Sequence, residues 1–165
     1  MIGAERTRSL TWNLRRTAVH LRVRHFRGHG VHSPFAYRLV REVFMKRRHL
    51  HAAGPLCDAL RQAHVGKHTA RMAQAVYDYD ACEGFSLDRA AREGGGSGMY
   101  CCVSGPIPPV TEGYRVVALF RPRASRERYR QCLEAVARHG GLSLDCRSIL
   151  FLFTDRGLSK EHIKL

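Results

Sequence analysis

An α/β (or α+β) fold is expected of this chain: a basic helical N-terminal region packed on a small mixed sheet of about four strands. Three observations predict it. Apolar residues recur at helical spacing through the first half of the sequence. The second half carries short apolar runs punctuated by Gly and Pro, with a single helical stretch between them. The chain has 165 residues, 44% hydrophobic and 25% charged, which suits one domain able to bury most of its apolar surface. Residues 1–165 are therefore read as a single domain, with a basic helical part over 1–54, a helical middle and Gly-rich linker over 55–98, and a strand-rich part over 99–165.

Leu10, Leu14, Ala18 and Leu21 lie at helical spacing with Arg15, Arg16, Arg22 and Arg24 elsewhere around the wheel, so an amphipathic helix is expected from about Ser9 to Phe26, ended by Gly28 and Gly30. Next, Ser33 is a natural N-cap and Pro34 a natural first helical residue, because the N–H that proline lacks would be unpaired there anyway. Phe35, Leu39 and Val43, flanked by Ala36, Val40 and Phe44, give this helix one apolar stripe, and Lys46, Arg47 and Arg48 close it where the macrodipole favours cations. Residues 49–54 read as a loop. Two more helices are expected at about Pro55–His64 and Lys67–Tyr79, and a short one over Ser86–Arg92 started by Ser86.

Glu93-Gly-Gly-Gly-Ser-Gly98 reads as a linker. A phosphate-binding glycine loop follows a strand and opens a helix, and here that context is reversed. Strands are expected at Met99–Val103, Tyr114–Phe120, Leu142–Asp145 and Ser148–Thr154. A helix over Ser125–His139 presents Tyr129, Cys132, Leu133 and Val136 on one face and stops at Gly140 and Gly141.

Lys and Arg number 28 against 14 Asp and Glu, a net charge of +14. Residues 1–51 hold twelve of those cations against Glu5 and Glu42, a field that attracts polyanions whatever the fold beneath it. Nucleic acid or an acidic partner bound through residues 1–51, with Arg15, Arg16, Arg22, Arg24, Arg47 and Arg48 as contacts, is accordingly one functional reading. No RNP aromatic pattern, zinc finger or KH-type loop accompanies the charge. No segment approaches the roughly 18 apolar residues of a membrane span, and the opening residues lack the apolar stretch of a signal peptide, so a cytoplasmic protein without membrane partner is expected.

The six cysteines show no C-x-x-C spacing and read as small buried hydrophobes, with Cys101 and Cys102 sent to opposite faces of a strand. His64 and His68, with Cys57 as a third ligand, are the nearest approach to a zinc set. Gly66 between the two histidines and the missing carboxylate count against it, and no metal is expected. Asp78 and Asp80 form a carboxylate pair that reads first as a helix end. Ser33 and Ser104 lack a nucleophile-elbow context.

His29-Gly-Val-His-Ser-Pro-Phe35 with the helix after it resembles the N-terminal signature of a group of class I S-adenosylmethionine-dependent methyltransferase-like proteins common in Bacteroidetes. Leu142–Phe153, followed by Gly157-Leu-Ser-Lys-Glu-His-Ile163, is similar to that group's closing hairpin and tail. Lys67–Tyr79 resembles the helix before its first Rossmann strand, and Tyr114–His139 a late strand and helix. The resemblance implies a Rossmann-like remnant, with S-adenosylmethionine as the cofactor it would take. That cofactor is expected at the carboxyl ends of the sheet strands, near Tyr79, Asp80, Glu83 and Gly84 and near Ser104 and Gly105, by the crevice rule for open sheets. The sequence departs from the group's pattern in its core. The acidic residue and glycine loop expected after Tyr79 are missing from Asp80–Phe85, Phe120–Ser125 holds no acid, and the chain is shorter than a seven-stranded domain. The resemblance thus implies a methyltransferase-like protein that has lost much of its cofactor-binding half, with no nameable catalytic base. Its open sheet edges would need covering, by rearrangement or by a second copy in a homodimer.

Overall fold

The computed structural model describes residues 32–88, 96–107, 113–154 and 157–165. The helix expected over about 9–26, with Arg15, Arg16, Arg22 and Arg24, lies outside the described residues, as do 89–92 of the short helix expected over Ser86–Arg92 and 93–95 of the expected linker. Among the described residues the chain is mixed α/β, built on a six-stranded sheet. In chain order come α1 (Pro34–Leu39), a π-helical extension (Val40–Met45), a 3₁₀ turn (Arg48–Leu50), α2 (Pro55–Gln62), α3 (Lys67–Tyr79), β1 (Phe85–Leu87), β2 (Met99–Cys102), β3 (Val116–Phe120), α4 (Arg126–Arg138), β4 (Leu142–Asp145), β5 (Ile149–Phe153) and β6 (Glu161–Lys164).

The sheet order is β1-β2-β3-β5-β4-β6. β1, β2 and β3 are parallel neighbours, β5 runs antiparallel between β3 and β4, and β6 is parallel to β4. One face of the sheet, formed by Met99, Cys101, Val116, Ala118, Phe120, Leu144, Phe151 and Phe153, is buried against Leu39, Val43, Leu56, Leu60, Ala73 and Val76 of the N-terminal helices. On the other face Tyr100, Cys102, Val117, Leu119, Leu150 and Leu152 cluster with Cys132, Ala135 and Val136 of α4. Both faces are covered over β2, β3 and β5, so these strands are apolar at every position rather than alternating.

Local chemistry accounts for most of these elements. The Ser33 side chain accepts from the Ala36 N–H and Pro34 opens α1; Ser125 caps α4 in the same way, accepting from the Arg128 N–H. Helix α2 begins where Gln74, buried inside α3, accepts from the Cys57 N–H at 2.9 Å. A Cβ on Gly54 would lie 2.9 Å from the Gln74 amide, so only glycine fits the approach to that helix. Cys101 and Cys102 do lie on opposite faces, and all six cysteines are buried and free.

Four expectations are corrected. Ser86 and Leu87 belong to strand β1 rather than to a helix, because pairing with β2 in parallel register (Phe85↔Met99) outweighs the local preference for a cap and helix. Leu133 is 46% exposed, whereas Cys132, Ala135 and Val136 carry the buried stripe of α4. The sheet has six strands instead of about four, since β1 and β6 were not expected. Finally, Arg48, expected to close the first helix, and 49–50 of the expected loop form a 3₁₀ turn. Strands β1 and β6 are the outer strands of the described sheet, and β6 pairs with β4. The two segments that carry the family resemblance meet there: the Glu161 carboxylate accepts from the backbone N–H groups of His32 (3.0 Å) and Ser33 (3.2 Å), and the Phe35 ring packs edge-on against Phe153.

Candidate functional site

Ligands of open α/β sheets bind beyond the carboxyl ends of the parallel strands, where two strands feed connections to opposite faces. Here β1 ends at Leu87 and the chain turns through Asp88, whose N–H still completes the ladder to the Cys101 carbonyl (2.9 Å). Asp88 has a left-handed backbone (φ 52°), a conformation that short polar side chains tolerate. This turn aims its carboxylate at the end of β2. The carboxylate accepts from the N–H groups of Val103 (2.7 Å), Ser104 (3.0 Å) and Gly105 (3.0 Å) and from the Ser104 hydroxyl (2.8 Å). Three successive amides converging on one anion form a nest. Burial by itself would raise the Asp88 carboxyl, but the donors from Gly105, Ser104 and Val103 together hold it below its ordinary value. A Cβ on Gly105 would stand 3.2 Å from the carboxylate oxygen, so a side chain there would press on the contact.

The carbonyls of the same corner are taken by a cation. Arg128, in the first turn of α4, donates from Nη1 to the Gly105 carbonyl (2.6 Å) and from Nη2 to the carbonyls of Cys102 (3.2 Å) and Phe120 (3.3 Å). The same guanidinium nitrogen lies 3.3 Å from the Cys102 sulfur. The Cys102 thiol donates to the Gly105 carbonyl (3.2 Å), and burial raises its pKa against the lowering effect of Arg128, so it stays a neutral thiol. The amides just after β2 and the carbonyls at the ends of β2 and β3 are thus both occupied by the chain's own side chains.

The site residues expected from sequence divide between opposite ends of the sheet. Ser104 and Gly105 follow β2 and lie at its carboxyl end, in the nest just described. Tyr79, Asp80, Glu83 and Gly84 precede β1, and since Gly84 accepts from the Met99 N–H at the start of β2, they lie at the amino end. Placing them at the carboxyl ends of the strands is corrected by the parallel register: a strand of three or four residues, roughly 10 Å, separates the two groups. Asp80 is fully buried and ion-paired with Arg115 Nε at 3.0 Å. Glu83 accepts from the Ser97 hydroxyl at 2.6 Å, beside a cavity of about 350 Å³ lined by residues of both strand starts and by Tyr114. Among the described strands, β1, β2, β3, β4 and β6 run in one direction and also succeed one another across the sheet, so the order of these parallel strands does not reverse.

The remaining candidates stay apart. His64 ends α2 in a left-handed conformation, His68 packs on the His49 ring 5.6 Å away, and Cys57 is buried beneath Gln74. No group of three or more His, Cys, Asp or Glu side chains suited to a metal occurs among the described residues. Asp78 accepts from Gln74 at 2.7 Å and lines a second cavity of about 450 Å³ with Lys46, Arg48 and Tyr79. Of the basic contacts expected in 1–51, Arg48 and the neighbouring Lys46 both pair with Glu42, and Arg47 is the left-handed residue that ends the first helix. No helix among the described residues is long and apolar enough to cross a membrane.

Asp88 and Arg128 are the residues of this corner that sequence reasoning missed. Asp88 sits inside a stretch that imitates a helix start, and its partners are 15–17 residues away. Arg128 is one of several arginines in a basic run, and only its place three residues after the Ser125 cap distinguishes it. Comparison with protein-family models, with curated proteins and with solved structures returned no match to this chain.

Proposed function

We propose that this chain is a methyltransferase-like protein that no longer carries out methyl transfer and serves instead as a closed α/β scaffold. The observation that carries this reading is the Asp88 carboxylate seated on the Val103–Gly105 amides. S-adenosylmethionine would need free backbone donors and an acidic group for its hydroxyls at the strand ends, and the residues present do not fit it. The donors are bonded to Asp88, the carbonyls beside them to Arg128, and the turn after β3, Arg121–Ser125, holds cations but no acid. The resemblance at His29–Phe35 and Gly157–Ile163 supports descent from the methyltransferase-like group, and those segments are the ones that meet through Glu161.

Calorimetric titration of the purified, nucleic-acid-free protein with S-adenosylhomocysteine tests the reading. No heat of binding and no thermal shift are expected. Saturable binding in the micromolar range would overturn it and make this corner of the sheet a working cofactor pocket.

A further inference from the structure

Beyond β3 and β4 the same end of the sheet is built differently. Three contacts bring separate turns side by side: Arg121, just after β3, donates to the His64 carbonyl of the α2–α3 turn at 3.0 Å; the Thr69 hydroxyl of α3 donates to that of Ser148 in the β4–β5 turn at 3.1 Å; and Arg123 donates to the Arg147 carbonyl at 3.0 Å. Along this line stand Lys67, Arg121, Arg126 and Arg147, all four exposed. None of them pairs with a carboxylate among the described residues. The acidic side chains nearby are already engaged: Asp145 is gripped by both Arg123 nitrogens (2.6 and 3.1 Å) and by the Arg147 N–H, and the Glu127 carboxylate is held by Arg130 and Gln131. Arg121 and Arg147 have left-handed backbones (φ 48° and 70°), a conformation that costs an arginine energy and that directs each turn outward. Helices α3 and α4 begin at this end, so their dipoles add positive potential to that of the side chains.

We propose that this edge, through Lys67, Arg121, Arg126 and Arg147, binds the phosphodiester backbone of a nucleic acid strand. The cations come from separate turns, and none lines either cavity described above. Exposed cations without carboxylate partners, spread over adjoining turns, match a ligand with repeated phosphates better than a single small anion. The net charge of +14 supplies the long-range attraction, and these turns supply the place. This surface is separate from the basic segment 1–51 and does not depend on the methyl-donor reading.

Fluorescence anisotropy of the full chain with labelled 20-nucleotide single-stranded RNA and DNA of one sequence, titrated at several salt concentrations, tests the proposal. The variant Lys67→Gln/Arg126→Gln is compared with Arg38→Gln/Arg138→Gln, which removes equal charge from exposed positions at the opposite end of the sheet. The first variant is expected to weaken binding about tenfold or more at low salt and to lower the salt slope by about 1.4, two phosphate contacts on a single strand. The second is expected to change binding less than about threefold. Equal binding of RNA and DNA would assign recognition to the phosphodiester, and a preference for RNA would add 2′-hydroxyl contacts on the same edge. Equal losses in the two variants, no loss in either, or displacement by poly-glutamate as effective as by unlabelled strand would each overturn the proposal. Both substitutions of the first variant lie in exposed first helical turns, and matching circular dichroism spectra keep the comparison valid.

Discussion

The carboxyl end of the sheet is closed over β1 and β2 and open over β3 and β4. Over β1 and β2 the chain supplies its own anion and its own cation: Asp88 takes the amides of Val103–Gly105, and Arg128 takes the carbonyls of Cys102, Gly105 and Phe120. Over β3 and β4 the antiparallel strand β5 continues the ladder, and side chains meet single turn groups instead: Arg121 donates to the His64 carbonyl, Arg123 to the Arg147 carbonyl, and Asp145 accepts from the Arg147 N–H, while Lys67, Arg126 and Arg147 stay exposed. The difference teaches that a run of consecutive backbone groups left open at a strand end draws a whole side chain inward, whereas isolated turn groups are met by single contacts and leave neighbouring cations at the surface. Where strands end without a neighbour to continue the ladder, buried polar groups must find side chains.

The largest effect is expected from breaking what both regions share. Phe151 is fully buried between Ala118 of β3, its ladder partner, and Leu144 of β4. Phe151→Ala should cost about 3–5 kcal/mol in urea denaturation and remove both surfaces together. Next comes the closed corner alone. Asp88→Ala strips the acceptor from three amides and a hydroxyl, with an expected loss of about 2–3 kcal/mol. Asp88→Asn should lose less, since it keeps one acceptor oxygen and tolerates the left-handed backbone. A cost of Asp88→Ala below about 0.5 kcal/mol would show that the nest contributes nothing and would blur the contrast between the regions.

Acid sharpens the same comparison. The folded Asp88 carboxyl lies below its ordinary value of 3.8. The stability it contributes is therefore complete above that value and is lost as pH falls from there through the folded pKa. The difference in urea midpoint between the natural chain and Asp88→Asn should stay level from neutral pH down to about pH 4.5 and shrink below 3.8. A difference that grows on acidification would contradict the hydrogen-bond assignment. The smallest effect belongs to the open side: Lys67→Gln/Arg126→Gln should leave stability within about 0.5 kcal/mol, as exposed cations without carboxylate partners do.

How much of the fold can be read ahead of the structure follows the range of the interactions involved. Ser33 and Pro34 announce α1 because a cap and its first turn are four residues apart, and Ser125 announces α4 for the same reason. Leu39 and Val43 reveal the buried face of the first helix, and the apolar runs Val116–Phe120 and Ile149–Phe153 reveal strands, which the structure shows to be covered on both sides. The candidate site was far less visible. Tyr79, Asp80, Glu83 and Gly84 were grouped with Ser104 and Gly105 through the resemblance, and the parallel pairing of β1 with β2 sets them at opposite ends.

By itself the sequence determined helices α1 to α4, the four central strands, the facing of Cys101 and Cys102, and the excess of positive charge, since each depends on residues within a turn or two of one another or on composition alone. The tertiary structure decided that Phe85–Leu87 is a strand, that Glu161–Lys164 extends the sheet past β4, and that Asp88 and Arg128 meet the end of β2. It also decided which cations are spent and which remain free. Those outcomes depend on partners 14 to more than 20 residues away, whose geometry exists only once the sheet is assembled and whose backbone groups then have to be satisfied.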